Sequence, residues 1–166
     1  GTTQRAKQIE SKSGPFAVRG DITIGQYTTL QYSNADAIQT LTIDGKLVNN
    51  GLATLQLSAA RYCDVVLTGD GDVISGSGTS MRLRNLTLTN ANNKTISYAG
   101  TVWFYTGASG NAFTNNGAPF TANAGQFAFV DAFSIEGDGA ITFNNLQCGN
   151  NNQTIQTLNR DIAVNG

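Results

Sequence analysis

One short phrase recurs along this chain and constrains its fold more than any other feature. Residues 66–74 read Val-Leu-Thr-Gly-Asp-Gly-Asp-Val-Ile, residues 134–142 read Ser-Ile-Glu-Gly-Asp-Gly-Ala-Ile-Thr, and residues 41–48 read Leu-Thr-Ile-Asp-Gly-Lys-Leu-Val. Each phrase sets a Gly/Asp turn between two short apolar–polar stretches, because Gly tolerates positive φ and Asp accepts hydrogen bonds from free amides. Units of strand, corner and strand that recur in this way can stack, so that neighbouring units bury each other's apolar faces.

The rest of the chain also favours an all-β fold. From residue 21 onwards, period-two alternations such as those at 21–24 and 83–89 are separated by Gly, Asn and Asp. Helical periodicity appears only over residues 4–12, which is too short for an isolated helix to be stable. Charged residues make up only 13% of the chain, and the Thr, Asn, Gly and Ser that replace them suit strands and turns. Two architectures fit this pattern: stacked parallel coils, and an antiparallel β-sandwich or jelly roll.

Three segments resemble consecutive coils of right-handed parallel β-helices: residues 41–51, 65–76 and 81–90. That superfamily includes pectate-lyase-like enzymes, phage tailspikes and fibres, and secreted adhesins. The likeness spans roughly residues 21–95 and returns at 131–146, and it is a likeness of coil style. It implies a short right-handed parallel β-helix, or solenoid. Because an uncovered end of such a stack exposes strand edges, it also implies capping by the N-terminal segment or by partner subunits.

The chain is predicted to divide into a basic N-terminal segment, residues 1–20, and a single β-rich domain, residues 21–166. The N-terminal segment carries an excess of cations, namely Arg5, Lys7, Lys12 and Arg19 against Glu10. Two interpretations stand: an arm or cap that anchors the domain on an acidic surface or nucleic acid, and a solvated terminus. The domain itself is mildly acidic, which argues against nucleic acid as its partner, and no apolar run is long enough to cross a bilayer.

Residues 96–133 are predicted to form an irregular insertion in this domain. Most of the aromatic residues of the chain lie in or beside this window: Tyr98, Trp103, Phe104, Tyr105, Phe113, Phe120, Phe127, Phe129 and Phe133. The Gly- and Asn-rich segments 106–111 and 115–119 run between them and are typical of loops. The window is therefore interpreted as an excursion from the coil stack or as a hairpin layer packed on it.

The chain contains no histidine, and this removes several chemistries at once. Ser-His-Asp triads, Cys–His pairs and histidine-based acid–base catalysis are excluded. Cys63 and Cys148 lie far apart without metal-binding spacing, and Cys63 sits in an apolar stretch, which predicts a buried free thiol, with a disulfide as the alternative. No cofactor and no metal are predicted, since the nine-residue repeat of calcium-binding β-rolls is absent.

Four carboxylates are minority candidates for catalysis: Asp70, Asp72, Glu136 and Asp138. Glycoside hydrolysis needs two carboxyl groups on either side of one bond, and stacked coils could bring the two Gly-Asp-Gly corners close together. The favoured interpretation is that these are turn residues, repeated because the turn repeats. The pectinase signatures that the resemblance would require are also missing, since there is no Gly-His-Gly and no Asp-Asp pair.

Five residues are candidates for binding a ligand or a partner subunit. Arg82 and Arg84 are two positions apart and are predicted to share one face of a strand, either available to an acidic sugar or a partner's carboxylate, or simply solvated. Trp103, Phe104 and Tyr105 are consecutive, so they cannot all point inward from one strand. Aromatic rings stack on sugars and also anchor interfaces, and core packing is the third interpretation.

Together these features favour a non-enzymatic structural or attachment module. The expected setting is the outside of a virion, as a phage decoration, spike or fibre protein, or a bacterial surface fibre, so the localisation is extracellular or on the virion surface. Expected partners are further copies of the chain, with a trimer favoured, a larger protein assembly, and a glycan as an additional ligand. The alternative is a carbohydrate-active enzyme or carbohydrate-binding domain that acts on polysaccharide.

Overall fold

The computed structural model describes residues 5–9, 15–32, 40–54, 63–90, 92–105, 111–131, 133–149, 156–157 and 162–165. Across these ranges the chain is all β and forms three seven-stranded sheets, here named A, B and C. No helix in the described ranges has the length and apolar character needed to span a membrane.

The chain visits the three sheets in strict rotation. In spatial order, sheet A contains β1 (Arg5–Ile9), β4 (Thr28–Tyr32), β7 (Leu52–Thr54), β10 (Ser80–Leu83), β13 (Thr101–Phe104), β16 (Gln126–Phe129) and β19 (Asn145–Cys148). Sheet B contains β2 (Phe16–Val18), β5 (Thr40–Ile43), β8 (Asp64–Leu67), β11 (Asn85–Asn90), β14 (Asn111–Gly117), β17 (Ser134–Gly137) and β20 (Gln156–Thr157). Sheet C contains β3 (Ile22–Ile24), β6 (Leu47–Asn49), β9 (Gly71–Ser75), β12 (Lys94–Ile96), β15 (Phe120–Ala122), β18 (Ile141–Phe143) and β21 (Ile162–Val164).

Each strand pairs in parallel with the strands three places before and after it in the chain, except that the first and last strand of each sheet has one such neighbour, so one strand from each sheet makes one coil. Register partners one coil apart are separated by 19 residues between Gln126 and Asn145 and by 28 between Leu52 and Ser80, with the other coils in between. The molecule is thus a parallel β-solenoid, as the recurring corners predicted. Because all of the described pairing is parallel, the antiparallel sandwich or jelly roll is wrong.

The described part of the N-terminal segment contributes strands to the sheets. Residues 5–9, which lie in the only stretch with helical periodicity, form strand β1 and pair in parallel with β4. Residues 16–18 form β2 and pair with β5. The described part of the N-terminal segment therefore supplies one strand each to sheets A and B, because backbone pairing with the next coil outweighs a weak local helical tendency.

The predicted irregular insertion over residues 96–133 is also wrong for the described residues of that window. Strands β13, β14, β15 and β16 continue the three sheets and pair with the coils on both sides. Aromatic residues are concentrated in this window of the sequence because phenylalanine rings fill this part of the core. Phe113, Phe120, Phe127 and Phe143 are fully buried, with the Phe127 and Phe143 ring centroids 5.0 Å apart.

The core is a single column enclosed by the three sheets. Alternate residues of each strand point into it, as in the buried–intermediate pattern of β5, β8 and β13. One exception lies in β9, where a register shift relative to β12 leaves Val73 and Ile74 both buried. Such a β-bulge inserts one extra residue and bends the strand locally.

The three corners of the coil differ in how much chain they contain. Between strands of sheets B and C, and of sheets C and A, one to four residues intervene. Between strands of sheets A and B the number ranges from one (residue 84) to nine (55–63, of which Cys63 alone is described). Strand β8 follows the nine-residue segment, and β11 follows the one-residue segment. Even so, β8 pairs regularly with both β5 and β11. Length changes are thus confined to one edge of the column.

Glycines line the corner between sheets C and A because successive backbones touch there. A Cβ atom at Gly51, Gly78, Gly100 or Gly125 would lie less than 3.0 Å from the carbonyl oxygen of the corner glycine one coil earlier, the first of which is Gly25. Real Cβ atoms do not approach backbone oxygens so closely. This corner therefore requires residues without a side chain on successive coils.

Cys63 is a buried free thiol, as the apolar sequence around it predicted, whereas Cys148 is free and exposed. The Cys63 thiol donates a hydrogen bond to the carbonyl oxygen of Asp64 at 3.3 Å. Burial raises the pKa of Cys63 from 9.0 to about 12, and the nearby charge of Asp64 acts in the same direction.

The raised pKa of Cys63 predicts that the fold loses stability in alkali. The folded chain keeps the thiol protonated where the unfolded chain ionises, so this stability is complete below pH 9 and falls as the pH rises from 9 towards 12. The slope is at most about 1.4 kcal/mol per pH unit. Urea unfolding across this range should show a shallower decline for Cys63→Ala than for the wild type. Equal slopes would contradict the assignment.

Candidate functional site

The Gly/Asp phrases of the sequence all lie at the corner between sheets B and C. Asp44 and Gly45 join β5 to β6, Gly69 and Asp70 join β8 to β9, and Asp138 joins β17 to β18. A Cβ at Gly69 would lie less than 3.0 Å from the carbonyl oxygens of Asp44 and Gly45, so these corners are stacked directly on one another. The predicted role of the phrases as bends between stacked strands is confirmed.

Aspartate side chains at this corner and along sheet C tie one coil to the next. An Asp21 oxygen accepts a hydrogen bond from the Lys46 backbone amide at 2.8 Å, and Asp44 accepts one from the Thr68 hydroxyl at 2.7 Å. Asp72 accepts a hydrogen bond from the Ser97 amide at 2.9 Å. These carboxylates satisfy donors of the adjacent coil, a structural use of the residue type.

The structure does not bring the two Gly-Asp-Gly aspartates together. Asp70 follows β8 and Asp138 follows β17, and β11 and β14 lie between these strands in sheet B. Three strand steps correspond to about 14 Å, beyond the separation of roughly 5–9.5 Å that glycoside hydrolysis uses. Glu136 lies in β17, two residues before Asp138. Its carboxylate accepts a hydrogen bond from the Ser134 hydroxyl of the same strand at 3.2 Å.

Lys94 is a buried cation that the sequence analysis missed. Its side chain is 2% exposed, and its Nζ donates to the Gly69 carbonyl oxygen and lies 3.9 Å from an Asp70 carboxylate oxygen. Burial lowers the pKa of this ammonium group, and the Asp70 charge partly offsets that effect. The register partner of Lys94 in β9 is Gly71, which has no side chain. The sequence alone does not show that these two residues are paired.

Arg82 and Arg84 do not share one face, contrary to the prediction. Arg82 is exposed on the outer face of β10, whereas Arg84 is the single residue of the corner between β10 and β11. The Arg84 guanidinium forms a two-pronged pair with Asp64, with Nε–Oδ1 at 2.6 Å and Nη2–Oδ2 at 2.8 Å. These hydrogen bonds raise the pKa of Arg84. Because its guanidinium is paired with a carboxylate of the same chain, Arg84 stabilises the corner between β10 and β11.

The aromatic triplet divides as strand geometry requires. Phe104 points into the core, and its ring centroid lies 4.8 Å from that of Phe129. Trp103 and Tyr105 are half-buried and follow the outward side of sheet A. Arg82 is the register partner of Trp103, and its guanidinium carbon lies 5.9 Å from the Tyr105 ring centroid, within cation–π range. We call Arg82, Trp103 and Tyr105 the sheet A cluster.

Two buried asparagines were also missed. Asn49 donates to the Tyr98 hydroxyl at 2.9 Å and to the Ser80 carbonyl oxygen at 3.1 Å, while Asn115 donates to the carbonyl oxygens of Ala118 and Ala140, each at 3.2 Å. Both side chains occupy the inside of a corner and satisfy backbone groups of neighbouring coils. The signal was present in the sequence, because each begins an Asn-Asn-Gly triplet, at 49–51 and 115–117.

The predicted anchoring residues are only partly described. Arg5 and Lys7 lie in β1, Arg19 is exposed in the corner after β2, and Lys12 lies outside the described residues. Within the described ranges, no group of three or more Cys, Asp or Glu side chains is arranged to hold a metal ion.

Comparisons with protein-family models, with curated proteins and with solved structures give no match for this chain. The resemblance stated from the sequence therefore holds for the architecture, a stack of parallel coils. A relationship to pectate-lyase-like enzymes, phage fibres or adhesins stays a proposal.

Proposed function

We propose that this chain is a non-enzymatic structural or attachment module that presents an outer face of a rigid β-column to a partner. The setting we propose is extracellular, on a virion as a decoration, spike or fibre protein, or on a bacterial surface fibre. The observation that supports it most is that two sets of side chains have different roles. Asp21, Asp44 and Asp72 bond to donors of the adjacent coil, whereas the sheet A cluster faces outward.

The architecture supports a role as a rigid spacer. Three in-register sheets enclose one continuous core, and the corners are stacked backbone to backbone at glycines. Neighbouring coils in such an array stabilise each other, so the column resists bending at any single coil. A stiff body with short corners on two edges suits projection from a larger assembly.

The sheet A cluster supports recognition at one face of this body. A half-buried indole and a phenol ring next to a guanidinium combine apolar area with charge, as interface anchors and sugar-binding residues both do. Ala128 lies beside Trp103 in the register and is 1% exposed although it is on the outer face, so other atoms cover it. The cluster thus offers two aromatic rings and a charge to a partner subunit or a glycan.

The competing proposal is a carbohydrate-active enzyme or carbohydrate-binding domain. The same sheet A cluster favours binding of a sugar, since aromatic rings stack on sugars and Arg82 carries a positive charge. Asp70, Asp72, Glu136 and Asp138 would have to supply the chemistry of the enzyme form.

Mass in solution and activity on acidic polysaccharides test the two proposals together. The module is expected to form an oligomer, with a trimer favoured, and to leave acidic polysaccharides uncleaved both as wild type and as Asp70→Asn plus Asp138→Asn. A chain that is monomeric at every concentration would contradict the assembly role. Cleavage by the wild type that the double variant loses would establish the enzyme instead. The variant changes two exposed corner residues, so its circular dichroism spectrum should match that of the wild type.

A further inference from the structure

Part of sheet A differs from the other two sheets in its charge. Strands β10, β13, β16 and β19 contain no Asp and no Glu, and their one charged residue is Arg82. Sheet B has carboxylates in β8, at Asp64, and in β17, at Glu136, and sheet C has one in β9, at Asp72. Asp131 lies beyond the end of β16, in the corner towards sheet B. These four strands of sheet A therefore present a positive charge without a carboxylate among them.

The outward positions of the same four strands form two rows that run along the column. One row is polar throughout, and its register partners are Ser80, Thr101, Gln126 and Asn145. The second row contains Arg82 and Trp103 as register neighbours, and it reaches the exposed Gln147 in β19. Hydroxyl and carboxamide groups donate and accept hydrogen bonds, as the hydroxyls of a sugar do. Each row advances by about 4.8 Å per coil, so a chain of sugar rings can contact successive coils.

The sheet A cluster places two aromatic side chains beside this charge. Trp103 and Tyr105 are two residues apart on the outward side of the chain, which corresponds to about 6.6 Å along a strand. Both side chains are half-buried, so each has a covered part and a part in contact with solvent. The Arg82 guanidinium carbon lies 5.9 Å from the Tyr105 ring centroid. A guanidinium stacked on a ring can still donate hydrogen bonds to a carboxylate, because its N–H groups lie in its own plane.

We propose that the sheet A cluster binds a polysaccharide of uronic acids. A carboxylate of the polymer pairs with Arg82, and the apolar face of a sugar ring stacks on Trp103. This inference rests on the proposed function and names the partner of this face. A second copy seated on the same face by a two-fold contact would bring two Arg82 residues together, with no carboxylate in these four strands to offset them. A neutral glycan would leave the charge of Arg82 without a counterpart.

Fluorescence of Trp103 tests this proposal on the intact chain. Trp103 is the only tryptophan in the sequence, so its emission reports on the cluster alone. Titration with alginate, a polymer of uronic acids, in the presence of EDTA is expected to change the emission until it saturates. Alginate esterified with propylene glycol keeps the sugar rings and loses most of the charge. The ester should bind at least about tenfold more weakly, because it lacks the carboxylates that pair with Arg82.

Two charge variants separate a local ion pair from general attraction. Arg82→Gln is expected to weaken alginate binding at least about tenfold and to leave binding of the ester unchanged, because only the charged contact is lost. The matched control Lys46→Gln removes another exposed cation, at the corner between β5 and β6, and should keep the affinity for alginate within about twofold of wild type. Both positions are exposed, so both variants should keep the circular dichroism spectrum of the wild type.

Three results would overturn the proposal. One is equal affinity for alginate and for its ester. Another is an equal loss of affinity in Arg82→Gln and Lys46→Gln, which would indicate attraction by charge without a defined site. The third is a wild-type chain whose Trp103 emission does not respond to alginate. If that chain forms an oligomer that Trp103→Ala dissociates, the cluster is a subunit interface and the proposed function stands. If it is monomeric at every concentration, the proposed function fails as well.

Discussion

Replacing Gly137 with alanine is expected to lower the free energy of unfolding by about 2–5 kcal/mol. Its φ of 98° lies in a region that L side chains rarely adopt, a cost of about 1–2 kcal/mol. A Cβ there would also lie less than 3.0 Å from three backbone atoms of Asn115, its register partner, and relieving that overlap adds about 1–3 kcal/mol. Since single domains are stable by only about 5–15 kcal/mol, this loss is a large fraction of the total stability.

Two other glycines separate the contributions to this effect. Gly71 also has a positive φ, 70°, but a Cβ there would have nothing within 4 Å, so Gly71→Ala should cost only about 1–2 kcal/mol. Gly20 has neither a positive φ nor a close neighbour, so Gly20→Ala should be within about 0.5 kcal/mol of wild type. Chemical denaturation of the three variants provides the comparison. Equal losses for Gly137→Ala and Gly71→Ala would show that stacked corners do not restrict side chains.

Phe127→Ala is expected to destabilise the chain by about 3–5 kcal/mol. The Phe127 ring centroid lies between 5.0 and 6.0 Å from those of four other core rings, Phe104, Phe113, Phe120 and Phe143. Removing the ring loses its burial and leaves a cavity that rings on three sheets line. Urea unfolding should show the loss, and near-ultraviolet circular dichroism should show weaker aromatic signals.

Trp103→Ala is the matched control for this prediction. Trp103 is in the neighbouring strand of sheet A, but it lies on the outer face and is half-buried. Its removal is expected to cost less than about 1.5 kcal/mol, because no closed cavity forms. If Phe127→Ala were as mild as Trp103→Ala, the window around residues 96–133 would be a layer outside the core after all.

The sequence revealed the architecture where its corners were marked clearly. Asp44-Gly45 and the two Gly-Asp-Gly turns stand at one corner, and their recurrence was enough to predict stacking. It was not enough for the corner between sheets C and A, where the stacked glycines are spaced unevenly, 22 to 27 residues apart. Uneven coil lengths hide such a repeat, because register is set by backbone pairing in space.

The window over residues 96–133 was misjudged for a related reason. A register shift between β14 and β17 leaves Ala112 and Phe113 both buried, which breaks the period-two pattern on which a strand is recognised. Buried Asn115 adds a polar residue at an inward position. Both features depend on what the adjacent coil supplies, such as the carbonyl oxygen that Asn115 reaches.

Individual side-chain roles were the least predictable part. Arg84 and Asp64 are 20 residues apart in the chain, and nothing between them marks the pair. Lys94 is buried at a position where Gly69 of the preceding coil supplies an acceptor for its ammonium group, and no local pattern marks that contact. The outward Trp103 and inward Phe104 were foreseen in part, since the alternation of a strand forbids three consecutive inward rings.

Residues can be added between the strands of sheets A and B without disturbing the three sheets. One residue suffices there between β10 and β11, nine are used between β7 and β8, and the strands on either side pair alike. Evolution, or an engineer, can therefore lengthen that edge coil by coil, because closing a longer surface loop costs little free energy. The two glycine-lined corners offer no such freedom, so new recognition loops would arise in a row along one side of the molecule.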